Sequence, residues 1–225
     1  MDEKKFVQFK KEELAMRKYI WDNLGKGKIS SIKVEYTPVG EKIIVSTDRP
    51  GLIIGSRGSK INELTRNLKQ RFKLENPNIE IEEIENPDFD AQLVADRIAI
   101  ELEKLGNLKF KTIAYRELSR IMRAGALGVE LRLSGKLPSD RARTWRFTQG
   151  YLKKVGDSAK VVNTASATAL TKLGITGITV SILSPKAKIH DKVEIEDELK
   201  QAINSEIEEE PKLKKSKTKS TKEKK

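Results

Sequence analysis

From Thr47 to Phe72 the chain reads TDRPGLIIGSRGSKINELTRNLKQRF, which sets an apolar turn, a glycine-flanked basic loop and an amphipathic helix end to end with no spacer. Few chain paths satisfy all three at once. Gly55 and Gly58 bound Ser56-Arg57, and a glycine on each side removes the side-chain wall, so another molecule can come close to the main chain. Ser59 and Lys60 open the helix, whose first amides are unpaired donors at the positive end of its dipole, and Arg57 adds a full charge beside them. Anions collect at such a place. Ile61, Leu64, Leu68 and Phe72 fall on one stripe at helical spacing, with Arg66, Lys69 and Lys73 on the opposite side.

A Gly-x-x-Gly alone, in a chain with fourteen glycines, is an ordinary turn. Here it follows Ile53-Ile54 and joins two helical segments, an arrangement that resembles the signature loop of the KH domain, which clamps RNA against an apolar groove. Gly55, Ser56, Arg57, Gly58 and Lys60 are therefore the first set of candidate RNA-binding residues.

At 225 residues and 37% hydrophobic content the chain has room for two small cores. Its formal charge of +12 favours a polyanionic partner. The absence of cysteine excludes disulfides, thiolate catalysis and cysteine-based zinc sites. No apolar run approaches the roughly eighteen residues of a membrane span, and MDEKKFVQFK lacks the hydrophobic centre of a signal peptide, so the reading is cytoplasmic and without a membrane partner.

In chain order, Val7 to Leu24 is helical, with Phe6, Leu14, Ile20 and Leu24 as its apolar residues, and Gly25-Lys26-Gly27-Lys28 ends it. Strands follow around Ile32 and Val34 and around Ile43 to Val45, joined by Thr37-Pro38-Val39-Gly40. A third strand is expected at Ile79 and Ile81 after the Asn76-Pro77-Asn78 break. Seven acids and no Lys or Arg lie between Glu75 and Asp90, an edge that repels RNA and faces solvent or a basic protein. Ala91 to Leu105 reads as a helix with Gly106 as its stop, and a further helix runs from about Lys109 to Ala124.

On that helix Lys109, Arg116, Arg120 and Arg123 fall within one arc, while Phe110, Ala114 and Ile121 point away. Four like charges on one arc call for acids or phosphates to neutralise them. Val129, Leu131 and Leu133 alternate with Glu130, Arg132 and Ser134 as a strand should. From Ser134 to Phe147, Lys136, Arg141, Arg143 and Arg146 surround Trp145 and Phe147; the two aromatics share a parity, so they belong to a strand core and the cations reach RNA. Asp157 or Ser158 caps an expected small-residue helix, VVNTASATALTKL, ended by Gly174, and Ile178, Val180 and Ile182 mark the last strand. Between Gly106 and Lys160 thirteen Lys or Arg stand against four acids. Beyond Pro185 come an acidic block, Asp191 to Glu210, and a lysine block, Pro211 to Lys225; the latter should stay disordered until it meets an anion.

The stretch VELRLSGKLPSDRARTWRFTQG from Val129 to Gly150, with Met122 to Gly128 and the loop in Gly51 to Gly58, resembles the universal S-three ribosomal proteins of the archaeal and eukaryotic type, over nearly everything from Phe6 to Ser184. The resemblance implies an α+β fold: an N-terminal helix and type II KH domain over residues 1–90, a C-terminal α/β domain with a small mixed sheet and packed helices over 91–185, and a disordered charged tail over 186–225. It also implies a structural constituent of the small ribosomal subunit that binds rRNA in the head and lines the channel through which mRNA enters. The S-ten and S-fourteen proteins are the expected neighbours. In that family basic residues near the start of the helix before the Gly-Ala-x-Gly turn face mRNA; Lys111 keeps such a charge, the next position is Thr112, and Lys109 and Arg116 stand close by. The candidate RNA residues are thus the loop set, the ridge Lys109, Lys111, Arg116, Arg120 and Arg123, and the linker Arg132, Lys136, Arg141, Arg143 and Arg146.

Two other classes compete. An enzyme is disfavoured: the single histidine, His190, has no nucleophile pattern beside it, and no Gly-Lys pair is followed by the Ser or Thr of a P-loop. No catalytic residue, metal, cofactor or small-molecule substrate is assigned. A free KH-bearing factor of transcription or RNA processing is the other alternative.

Overall fold

The computed structural model describes residues 2–38, 40–72, 74 and 76–189. His190, both charged blocks after it and the expected disorder of the tail lie outside the described residues.

The N-terminal part runs α1 (Asp2–Leu24), β1 (Ser31–Thr37), β2 (Gly40–Thr47), α2 (Pro50–Ile54), a 3-10 turn (Ser56–Gly58), α3 (Ser59–Phe72) and β3 (Asn78–Glu83). The sheet order is β1-β2-β3, with β1 antiparallel to β2 and β2 parallel to β3. Ile43 and Val45 point to one face of β2 and meet Ile20 and Leu24 of α1 and Leu64 and Leu68 of α3 in a single apolar cluster. Ile53, fully buried, pins α2 to the same cluster and so fixes where the glycine loop emerges.

Of the apolar residues of the first helix, Ile20 and Leu24 are buried, whereas Phe6 is 63% and Leu14 67% exposed. Leu14 lies about 120° around the helix from Ile20, and Met16 takes the inward position. Glu13 is also turned inward, held by Lys10 at 2.7 Å and by Arg17, and these partners keep its carboxyl below the ordinary range.

The C-terminal part runs from a 3-10 turn (Pro87–Phe89) through α4 (Ala91–Leu105), a 3-10 turn (Asn107–Lys109), α5 (Phe110–Arg123), β4 (Gly128–Gly135), β5 (Arg143–Gly150), a 3-10 turn (Asp157–Val161), β6 (Asn163–Thr171) and β7 (Gly174–Leu183). Asp90 caps α4 by accepting from the Gln92 amide at 3.0 Å, and Gly106 at φ +78° ends it. The sheet order is β5-β4-β7-β6, antiparallel throughout. The mixed sheet expected here is a correction: parallel pairing occurs only in the N-terminal sheet, between β2 and β3. Hairpins and short returns impose antiparallel pairing, since only a long crossover gives a parallel neighbour. Both helices pack on one face against Leu131, Leu133, Phe147, Val180 and Ile182, forming a second apolar cluster.

The expected helix VVNTASATALTKL is overturned, because these residues form β6. Its alanine content suggests a helix, but the working period is two. Ala165, Ala167 and Ala169 turn to the second cluster while Thr164, Ser166 and Thr168 are exposed. Small inward residues let α4 lie close, and β-branched threonines suit a pleated surface. Asp157 begins a 3-10 turn, and Gly174 pairs with Thr171 across the β6–β7 turn rather than stopping a helix.

Candidate nucleic-acid interface

The glycine loop leaves α2 at Gly55, φ +73°, where a Cβ would sit 2.8 Å from Cγ of Lys60. Lys60 folds back across that glycine and donates from Nζ to the Leu52 carbonyl at 3.3 Å, capping the end of α2. Its charge therefore stays beside the loop. Arg57 adopts φ 53°, ψ 30°, a left-handed conformation rare for a side-chain-bearing residue, at a cost of about 1 kcal/mol. Its side chain is exposed with no ion pair among the described residues. In front of Gly58 the nearest atom to an added Cβ is Asn62 Nδ2 at 3.8 Å, so the loop faces open space. Leu52 and Ile54 stand exposed beside it as an apolar wall, and α3 carries no acid in its first turn to oppose an anion.

The ridge on α5 divides. Arg116 is engaged by Glu101 of α4, and Arg120 by Asp88 at 3.1 Å. Asp88 also receives Arg97 at 2.8 Å, and Arg97 reaches the buried Glu117 at 3.2 Å. Burial pushes the Asp88 carboxyl up, but the two arginines prevail and hold it below its ordinary value. The acidic edge from Glu75 to Asp90 is thus partly spent inside the protein. Lys111 lies 4.8 Å from the centroid of Trp145, a cation–π contact. Lys109 and Arg123 are exposed without an ion pair among the described residues.

One turn beyond Lys111, Tyr115 is 60% exposed and meets Phe147 edge-on at 5.2 Å. The pattern reading passed over it, although its place four residues after Lys111 marks the same helix face. Trp145 donates from Nε1 to the Leu137 carbonyl at 3.0 Å and packs on Phe110 at 5.3 Å, so both aromatics of β5 serve the core as their shared parity suggests.

In the linker set, Arg132 of β4 and Arg146 of β5 are cross-strand partners that converge on Glu130, at 2.6 and 3.0 Å. Lys154, which the sequence reading missed, joins them at 2.5 Å. The Glu130 side chain is 4% exposed, shielded by its own cations. Burial alone would raise its carboxyl, but Lys154 and Arg132 hold it below the usual range. Three cations on one anion leave a positive patch on the sheet face opposite the helices. Lys136, Arg141 and Arg143 are exposed with no ion pair among the described residues.

A depressed carboxyl contributes stability above its unfolded pKa of about 4.3 and loses it as pH falls through the folded value. Glu130→Gln should therefore flatten the acid limb of stability, measured by urea unfolding from about pH 5 to pH 2. An unchanged acid limb would refute the assignment.

Two family profiles match the chain, the KH domain over residues 15–89 and "Ribosomal protein S3, C-terminal domain" over 98–182. The small ribosomal subunit protein uS3 of Methanocaldococcus jannaschii is 39% identical over 209 residues, covering 92% of this chain and 100% of that one. The chain belongs to the uS3 family. Other uS3 relatives include that of Archaeoglobus fulgidus, 39% identical over 87% of this chain and 84% of its own length. That of Haloquadratum walsbyi is 36% identical over 88% of this chain, which spans 61% of that longer protein. The uS3 proteins are RNA-binding structural components of the small subunit, and membership places this chain in the cytoplasmic ribosome. Among the described residues no helix is long and apolar enough to cross a membrane.

Proposed function

We propose that this uS3-family chain holds rRNA in the head of the small subunit and lines the channel through which mRNA enters, beside neighbours of the S-ten and S-fourteen families. The supporting observation is a division of labour among cations. Arg97, Arg116 and Arg120 are matched by acids inside the protein, whereas Arg57, Lys109, Arg123, Lys136, Arg141 and Arg143 are exposed and unmatched among the described residues. Unmatched cations repel one another until phosphates neutralise them. The glycine loop gives one anchor through main-chain amides and Arg57, and the face of β4 and β5 gives another through Arg132, Arg146 and Lys154. Lys109, Lys111 and Tyr115 form the mRNA side, with charge for phosphate and a ring for a base. The chain divides for this work at about residue 90, each part carrying one apolar cluster.

The test has two arms. Ser56→Asp with Arg57→Asp should weaken binding to rRNA fragments about tenfold and lower the salt slope by about 1, with the fold intact. Lys109→Ala with Lys111→Ala, carried in small subunits, should slow translation of messages with a hairpin where mRNA enters. Arg116→Ala should do less, because Glu101 already takes its charge. Unchanged affinity and slope would remove the loop from the interface, and unchanged rates would remove the ridge.

A further inference from the structure

The first helix has a second face that the fold leaves bare. Its inward side carries Glu13, Met16, Ile20 and Leu24. Roughly opposite runs the series Lys4, Val7, Lys11, Leu14, Lys18, Trp21, whose spacings alternate three and four. That spacing is the seam of a coiled coil, here with apolar residues at one heptad position and lysine at the other. Val7 is 52% exposed and Leu14 67%. Trp21 is half-buried against the N-terminal apolar cluster and, with Leu14, Arg17, Lys18, Asp22 and Ile32, lines an open groove of about 460 Å³, where Asp22 is the one acid against two cations.

We propose that this seam is the docking face for an acidic amphipathic helix of a partner protein. The partner would place apolar residues on Val7, Leu14 and Trp21 and carboxylates on Lys4, Lys11 and Lys18. Charge decides the chemistry of the occupant. Lys10 and Arg17 are already held by Glu13, but the three seam lysines have no ion pair among the described residues. A second copy of this chain would set lysine against lysine in a parallel pair, or lysine against Val7, Leu14 and Trp21 in an antiparallel one, and neither arrangement neutralises the lysines. RNA phosphates would satisfy the lysines and leave Val7 and Leu14 in water. Only a surface both apolar and acidic covers both halves of the pattern.

The probe is a labelled peptide of about 21 residues, three heptads, with leucine opposite the apolar positions and glutamate opposite the lysines, titrated against the full chain by fluorescence anisotropy. Binding should weaken at least tenfold in Leu14→Gln, whose exposed site leaves the fold untouched. Lys4→Glu with Lys11→Glu and Lys18→Glu should lose the glutamate peptide and gain its lysine counterpart. Equal affinity in the wild type and Leu14→Gln would overturn the proposal, as would displacement of the peptide by single-stranded RNA. A photo-crosslinker at position 14 in assembled small subunits should join to protein; joining to rRNA alone would assign the seam to RNA instead.

Discussion

Replacing Gly128 by alanine is expected to prevent the C-terminal sheet from closing, at a cost of roughly 3 kcal/mol or more. An added Cβ would lie 1.9 Å from the Tyr151 oxygen, 2.4 Å from its carbonyl carbon and 2.6 Å from its nitrogen. All three are main-chain atoms, so no side chain can swing aside. Gly128 also faces Gly150 in the β4–β5 register, and Gly150, at φ +76°, would bring a Cβ within 2.3 Å of the Leu127 carbonyl. That carbonyl accepts from the Tyr151 amide at 2.8 Å, while the Leu127 amide donates to Leu183 at 3.0 Å. Three strands are tied at one point, and a methyl group there pushes them apart. Gly125→Ala provides the contrast: no atom lies within 4 Å of its Cβ, so only its φ of +101° is strained. A urea midpoint for Gly128→Ala near that of Gly125→Ala would show that the close approach is not what requires glycine. If Arg143 and Arg146 of β5 hold rRNA as proposed, rRNA binding should fall with the sheet.

The features legible in the sequence were those fixed by neighbours in the chain. Helix α4 runs from Ala91 to Leu105 with Gly106 as its stop, as the pattern dictates, because an Asp90 cap and a left-handed glycine act within a few residues. The glycine loop was readable for the same reason. The strand Asn163–Thr171 was not, since the choice between helix and strand there depends on a distant element, α4, packing on its alanines. The ridge was half legible. Its arc of positive charge demanded neutralising partners, and the acids that reach it, Glu101 and Asp88, come from other segments whose approach no helical wheel reveals. Glu130 was hidden similarly. Alternation puts it on the solvent face, and only the convergence of Arg132, Arg146 and Lys154 buries it.

Phe110→Ala should cost about 3–5 kcal/mol and should reach the proposed mRNA side through packing alone. Phe110 is 2% exposed at the start of α5, with ring centroids 5.3 Å from Trp145 and 6.4 Å from Phe147. Trp145 carries Lys111 on its face, and Phe147 supports Tyr115. Removing the benzyl group leaves a cavity beneath both supports, so Lys111 and Tyr115 lose their fixed positions while keeping their chemistry. Phe110→Leu, which fills most of the space, should cost less than half as much. The coupling is readable by a double-mutant cycle under conditions where every variant stays folded. Lys111→Ala should weaken RNA binding in the wild type and weaken it measurably less in Phe110→Ala, because the cation has already lost its perch. Equal effects of Lys111→Ala in both backgrounds would mean that the lysine binds as a free surface charge, with the aromatic layer beneath it contributing stability only.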